Sequence, residues 1–225
     1  MSMRIAVLAS GEGTNLQALL DAQREERLPI EVVGVFGDQP QARALQRAGK
    51  AGVAARALAP ADYADRDAFD AALFAQVDAA APELVVCAGY MRVITTPVVE
   101  RYAGRMVNVH PSLLPKYPGL RTHERALAAG DRTHGASVHF VTPELDGGPV
   151  LSQVAIEVRE EDSPEALAHR LQPHEHRLLV ATIALLARRE VLASPYGITV
   201  DGRLLESPLQ LAGDDHLYDA AGFVA

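Results

Sequence analysis

The chain has 225 residues, 48% of them hydrophobic, and a formal net charge of −8. That length and apolar content suffice for one α/β domain or one and a half. The acidic balance excludes a large nucleic-acid footprint, which needs clustered cations, and points to a small-molecule substrate. No apolar run is long enough to span a bilayer and the N-terminal segment lacks a secretory pattern, so the expectation is a cytoplasmic protein without membrane association.

Arg4-Ile5-Ala6-Val7-Leu8-Ala9 reads as a buried strand that breaks at Ser10-Gly11-Glu12-Gly13-Thr14-Asn15. A helix follows, with Leu16, Leu19, Leu20 and Gln23 on one face, and then a second strand, Glu31-Val32-Val33-Gly34-Val35-Phe36. This is a βαβ opening. Next come a helix over 41–48, a strand near 53–57 and a helix over 66–80, whose apolar stripe is Phe69, Leu73, Phe74 and Val77. A strand over 84–88, a segment starting near Thr96-Pro97-Val98-Val99 and a strand over 106–110 complete a mostly parallel sheet covered by helices.

After Thr133 the rhythm changes. Residues 136–141 and 149–158 are both strand-like and are joined through Asp146-Gly147-Gly148, which predicts an antiparallel addition. Ser163-Pro164-Glu165 starts a long helix over 164–189, with serine at the cap and proline at the first helical position. Asp201-Gly202 inside Ile198-Thr199-Val200-Asp201-Gly202-Arg203-Leu204-Leu205 signals a hairpin; the last residues carry no assignment. The expected fold class is α/β: a Rossmann-like, mostly parallel sheet flanked by helices, with an antiparallel addition toward the C-terminal part.

Three features carry chemistry. Asn108 and His110 stand two apart on a strand, so their side chains share a face, and Pro111 favours extended backbone at the histidine. Gly11-Glu12-Gly13, between a strand and a helix, lets backbone N–H groups approach a phosphate. It departs from the dinucleotide fingerprint, since Leu16 stands where the third glycine belongs, and it lacks the Gly-Lys-Ser/Thr ending of a triphosphate loop. Asp38 nevertheless stands where a ribose-binding acid would, so a phosphate site, a dinucleotide site and a purely structural turn all remain open from this segment. Cys87, the one cysteine, lies in an apolar run and reads as a buried strand residue. His123, His134, His139, His169, His174, His176 and His216 read mostly as packed or surface residues. None has the spacing and nearby carboxylate of a helix-borne zinc site, so no metal is expected.

Taken together, Ala9-Ser10-Gly11-Glu12-Gly13-Thr14-Asn15-Leu16-Gln17-Ala18, Gly89-Tyr90-Met91-Arg92, Asn108-Val109-His110-Pro111-Ser112-Leu113-Leu114-Pro115-Lys116-Tyr117-Pro118-Gly119, His139-Phe140-Val141 and Glu144-Leu145-Asp146-Gly147-Gly148-Pro149 closely resemble the phosphoribosylglycinamide formyltransferases, folate-dependent enzymes of de novo purine synthesis. The Asn-x-His-Pro-Ser-Leu-Leu-Pro element is shared by the wider formyltransferase group; the glycine loop narrows the resemblance. It covers roughly residues 3–190. The expected organisation is a single formyltransferase domain over 1–190, with a phosphate-binding βαβ half over 1–105 and a catalytic and folate-binding half over 106–190, followed by a C-terminal hairpin and tail over 191–225.

The resemblance implies transfer of a formyl group from 10-formyltetrahydrofolate, a cosubstrate, to the amine of glycinamide ribonucleotide through a tetrahedral oxyanion. Such a step needs hydrogen-bond donors where negative charge develops and a group that moves a proton. Asn108 fits the first role and His110 the second, with Asp146 expected to raise the pKa of His110. The glycines after Asp146 are expected to supply the positive φ that folds the turn. By the same resemblance, Gly13, Thr14 and Asn15 bind the ribonucleotide phosphate, and Gln172 and Glu175 lie at its sugar, with Pro173 a candidate helix kink. The folate lies along Met91, Arg92, Val93 and Ile94, with Val99, Asn108, Thr142, Leu145 and Asp146, and Arg66 and Arg92 suit its glutamate tail. Arg121 departs from a family position that is often histidine.

The resemblance implies a monomer or homodimer that binds small molecules and no nucleic acid. The rival within the group is formyltetrahydrofolate hydrolase; those enzymes usually carry an extra N-terminal regulatory domain, whereas this chain starts at its first strand. Transfer to initiator tRNA is disfavoured by the acidic charge and the missing C-terminal nucleic-acid-binding domain. A dinucleotide oxidoreductase or a nucleotide sensor would share the βαβ opening but would not explain the paired Asn-x-His-Pro and Asp-Gly-Gly elements.

Overall fold

The structure, a computed structural model, describes residues 2–194 and 196–222; parts of the expected C-terminal tail, Pro195 and 223–225, lie outside them. The chain divides into two units, one up to Asn108 and one from Val109.

The first unit alternates strands and helices: β1 (Met3–Leu8), α1 (Thr14–Arg24), β2 (Ile30–Gly37), α2 (Arg43–Lys50), β3 (Ala55–Ala57), α3 (Arg66–Ala79), β4 (Leu84–Cys87), α4 (Thr96–Arg101) and β5 (Met106–His110), whose last two residues open the second unit. The strands run parallel in the order β5-β4-β1-β2-β3. Parallel strands covered on both faces need unbroken apolar sequence: Ile5, Ala6, Val7, Leu8, Val85 and Val86 are all buried. Helix α3 starts where the Asp65 carboxylate accepts from the Ala68 N–H at 2.8 Å, and the expected stripe, Phe69, Leu73, Phe74 and Val77, is its buried face. The segment at Thr96-Pro97 is a helix with proline in its first turn.

The second unit holds α5 (Thr122–Ala128), β6 (Thr133–Phe140), β7 (Val150–Glu157) and α6 (Pro164–Arg188), followed by β8 (Val191–Ser194), β9 (Gly197–Val200), β10 (Arg203–Leu204), β11 (Leu209–Leu211) and β12 (Leu217–Tyr218). β6 and β7 pair antiparallel, as expected. Ser163 caps α6 by accepting from the Ala166 N–H at 3.1 Å, and the helix runs on through Pro173. Asp201 and Gly202 both take left-handed φ, +48° and +80°, the backbone of a two-residue hairpin loop, and β8 extends that hairpin to three strands. Helix α5 and strands β8, β11 and β12 escaped the sequence reading. Helix α5 has too few residues to show a period, and β11 joins the larger sheet by pairing parallel with β7. No helix among the described residues is long and apolar enough to cross a membrane.

Candidate functional site

His110 ends β5 and is buried. Its Nε2 lies 2.9 Å from the Tyr117 carbonyl, so in the neutral ring Nε2 carries the proton and donates it there. Nδ1 is left facing Asp146 Oδ2 at 3.5 Å. Burial pushes the imidazole below the ordinary histidine value and outweighs the upward pull of the Tyr117 carbonyl and of Asp146. The interaction with Asp146 therefore has the expected sign, but the net shift is opposite to the expectation, because desolvation of the imidazolium is the larger effect.

The Asp146 carboxylate is held on several sides. The Gly119 N–H donates to Oδ2 at 2.8 Å, and His139 Nε2 stands 3.5 Å from Oδ1. Burial works against the charge, but hydrogen bonds from His139 and Gly119 and the two imidazoles hold the carboxyl below the usual carboxylate range. His139 was not singled out from the sequence; its place in the His139-Phe140-Val141 motif is the signal that could have found it.

The turn works differently from the expectation. Asp146 itself takes the left-handed conformation, φ +50°, whereas Gly147 and Gly148 do not. Aspartate tolerates that region through local hydrogen bonding. The glycines serve close approach instead: a Cβ on Gly148 would stand 1.8 Å from the Phe140 carbonyl oxygen, and one on Gly147 2.5 Å from the Glu144 side chain.

The Tyr117 carbonyl and the Gly119 amide are presented by a loop pinned to its surroundings. The Ser137 hydroxyl accepts from the Leu114 N–H at 3.0 Å and donates to the Ser112 carbonyl at 2.7 Å. Gln153 donates to the Leu114 carbonyl at 2.9 Å. Lys116 and the Tyr117 hydroxyl both reach Asp131, at 2.9 and 2.8 Å, and Arg125 donates to the Pro118 carbonyl at 2.6 Å while lying over the Tyr117 ring. The departing residue, Arg121, is exposed at the N-terminus of α5, 3.8 Å from Glu124.

In the first unit, Asn108 stands two residues before His110 on β5 and is half-buried. Gly13, at φ +70°, stands at the N-cap of α1 and offers no side chain to cap it. Its missing side chain is needed, because a Cβ there would come 2.7 Å from Ala44. The carbonyls of Gly11, Glu12 and Gly13 accept from the Ala44 N–H (3.0 Å), Arg47 Nε (2.8 Å) and the Gln17 N–H (2.9 Å). Among the described residues, the N–H groups of these three meet no backbone carbonyl. The Oδ1 of Asn15, in the first turn of α1, is buried without a hydrogen-bond partner. Backbone N–H groups at a helix N-terminus suit an anion.

Of the residues assigned to folate in this unit, Met91 and Val93 expose their side chains, while Ile94 and Val99 are buried. Arg92 stacks over Phe69 at 4.9 Å, and Arg66 is exposed at the start of α3. In the second unit, Leu145 is exposed, Thr142 half-buried, Gln172 exposed and Glu175 half-buried on α6. Cys87 is buried and its thiol is pushed up to about 12 by desolvation, which makes it an inert strand residue rather than a nucleophile.

The family described as formyl transferase matches residues 3–183. The chain is 43% identical over 213 residues to phosphoribosylglycinamide formyltransferase of Escherichia coli (strain K12), covering 95% of this chain and 100% of that one. Among solved structures it is similar to a phosphoribosylglycinamide formyltransferase of Coxiella burnetii, with a TM-score of 0.86 and 38% identity over 91% of this chain and 96% of the other. A formyltetrahydrofolate deformylase of Burkholderia mallei is also similar, with a TM-score of 0.80 but 27% identity, over 89% of this chain and 70% of that one.

Proposed function

The chain belongs to the formyl transferase family, and from that premise we propose that it passes the formyl group of 10-formyltetrahydrofolate to the amine of glycinamide ribonucleotide. The observation that carries the reading is the buried His110–Asp146 pair at 3.5 Å, with Asn108 two residues before the histidine on β5. When the amine attacks the formyl carbon, the carbonyl oxygen becomes an oxyanion and the nitrogen becomes acidic. Asn108 supplies an uncharged amide donor to the oxyanion. His110 rests neutral, and Nδ1 accepts a proton beside a carboxylate already ionised by its own hydrogen bonds. The resulting imidazolium pairs with Asp146, adds positive charge near the oxyanion and returns a proton to the departing folate nitrogen.

The remaining roles follow the family pattern. Gly13, Thr14 and Asn15 receive the phosphate, a role supported by their place at the N-terminus of α1, where backbone N–H groups and the positive helix end favour an anion. Gln172 and Glu175 serve the sugar, since a carboxylate accepts from ribose hydroxyls. Met91, Arg92, Val93, Ile94, Val99, Thr142 and Leu145 serve the folate, with Arg66 and Arg92 at its glutamate tail. The exposed Met91 and Val93 offer apolar surface for a pterin.

Mixing the protein with 10-formyl-5,8-dideazafolate and following folate-product absorbance tests the reading. A signal that requires glycinamide ribonucleotide is expected. Formyl release in water alone would make the chain a hydrolase.

A further inference from the structure

Strand β1 has β2 on one side and β4 on the other, and the crevice beyond the carboxyl ends of strands at such a branch is where α/β sheets bind ligands. Ser10, just past β1, crosses to the segment after β4 with two hydrogen bonds. Its N–H donates to the Gly89 carbonyl at 3.0 Å, and its hydroxyl oxygen accepts from the Met91 N–H at 2.9 Å. Ser10 immediately precedes the glycine loop, and Met91 opens the 91–94 segment. Ser10 thus adjoins the glycine loop in sequence and touches the 91–94 segment through its hydroxyl.

The other ties of these two segments lead elsewhere. The carbonyls of Gly11, Glu12 and Gly13 are engaged by α1 and α2. The far end of the 91–94 segment is fixed by the Thr95 N–H, which donates to the buried Asp70 carboxylate at 2.7 Å, and Arg92 is held over Phe69. Between these anchors, the position of the Met91 amide depends on the Ser10 oxygen. A shift of the loop on binding an anion would reach the Met91 backbone through that hydrogen bond.

We propose that Ser10 is a positioning residue that couples the two substrate sites: occupation of the glycine loop by the ribonucleotide phosphate sets the 91–94 backbone for the pterin, and the pterin in turn favours the phosphate-binding form of the loop. The inference rests on the placement of phosphate at residues 13–15 and of folate along 91–94. Such coupling is reciprocal, so each ligand tightens the other by the same factor.

The test measures the dissociation constant of 5,8-dideazafolate, which has no formyl group to transfer, with and without saturating glycinamide ribonucleotide. It uses the full chain as wild type and as Ser10→Ala, Ser10→Cys and Ser10→Thr. The ribonucleotide is expected to tighten dideazafolate by about 5-fold or more in the wild type. Ser10→Ala, and Ser10→Cys with its weak sulfur acceptor, bring that factor below about 2-fold while each ligand alone binds within about 3-fold of its wild-type affinity. Ser10→Thr retains the oxygen and the coupling. The same factor in Ser10→Ala as in the wild type, or no coupling in the wild type, overturns the proposal. Asn15→Ala identifies which idea has failed. If it weakens ribonucleotide binding about 10-fold and Ser10→Ala still couples, only the role of Ser10 falls. If it leaves that binding unchanged, the phosphate assignment falls and the coupling with it.

Discussion

Asp146 Oδ2 stands 3.5 Å from His110 Nδ1 and accepts the Gly119 N–H at 2.8 Å with the same oxygen. The carboxylate is thereby fixed to the loop and to the strand end at once, and it remains ionised beside an imidazole that burial keeps neutral. Removing the charge while keeping the shape tests this directly. Asp146→Asn is expected to lower turnover on the order of 10²-fold and to move the His110 titration, followed by NMR of the imidazole, to lower pH. An upward or absent shift would contradict the assigned electrostatics.

Replacing His110 or Asn108 by alanine is expected to cost on the order of 10²-fold or more in turnover. Steady-state rates at saturating concentrations of both substrates, with circular dichroism to verify folding, check this. A fully active His110→Ala would remove the histidine from the chemistry.

The two turn glycines should differ in their tolerance of a methyl group. Gly148→Ala meets backbone, the Phe140 carbonyl, whereas Gly147→Ala meets only the movable end of Glu144. Gly148→Ala is expected to destabilise by about 1–3 kcal/mol or more and Gly147→Ala by clearly less, read as the difference in urea midpoints. Equal midpoints would mean that the Phe140 carbonyl does not crowd the turn.

Acid should weaken the fold before the carboxylates titrate. His134 is 1% exposed, and burial, together with its neighbour His123 at 3.0 Å, lowers its pKa from 6.5 to about 4. His110, His123, His174 and His176 are lowered too, each chiefly by burial. A histidine with a depressed folded pKa binds fewer protons folded than unfolded between the two values, so its contribution is intact above pH 6.5 and is lost as pH falls toward the folded value. For His134 alone the loss by pH 4 approaches about 3 kcal/mol. Thermal midpoints should therefore decline from pH 6.5 to 4, and His134→Gln should flatten that decline. An unchanged slope in the variant would show that His134 does not titrate in that window.

Gly13→Ala combines a left-handed φ of +70° with a 2.7 Å encounter with Ala44. It is expected to raise KM for the ribonucleotide about 10-fold and to change KM for the folate much less. Equal effects on both would indicate general unfolding rather than a distorted loop.

Much of this molecule is written locally. The apolar runs of β1 and β4, the stripe of α3, the Ser163 cap and the Asp201-Gly202 hairpin each follow from residues close in sequence, because strand and helix periods and turn geometry depend on near neighbours. The same locality placed Asn108 and His110 on one face of β5 and Gly13 at the start of α1. What tertiary structure alone decided are contacts between distant segments. Gly119 and His139 converge on Asp146, the left-handed turn is carried by Asp146 rather than by its glycines, and β11 finds β7 as a partner. The direction of the His110 shift belongs here as well. Sequence names the carboxylate that raises it, but burial is the sum of every segment packed around the ring, and no local pattern contains that sum.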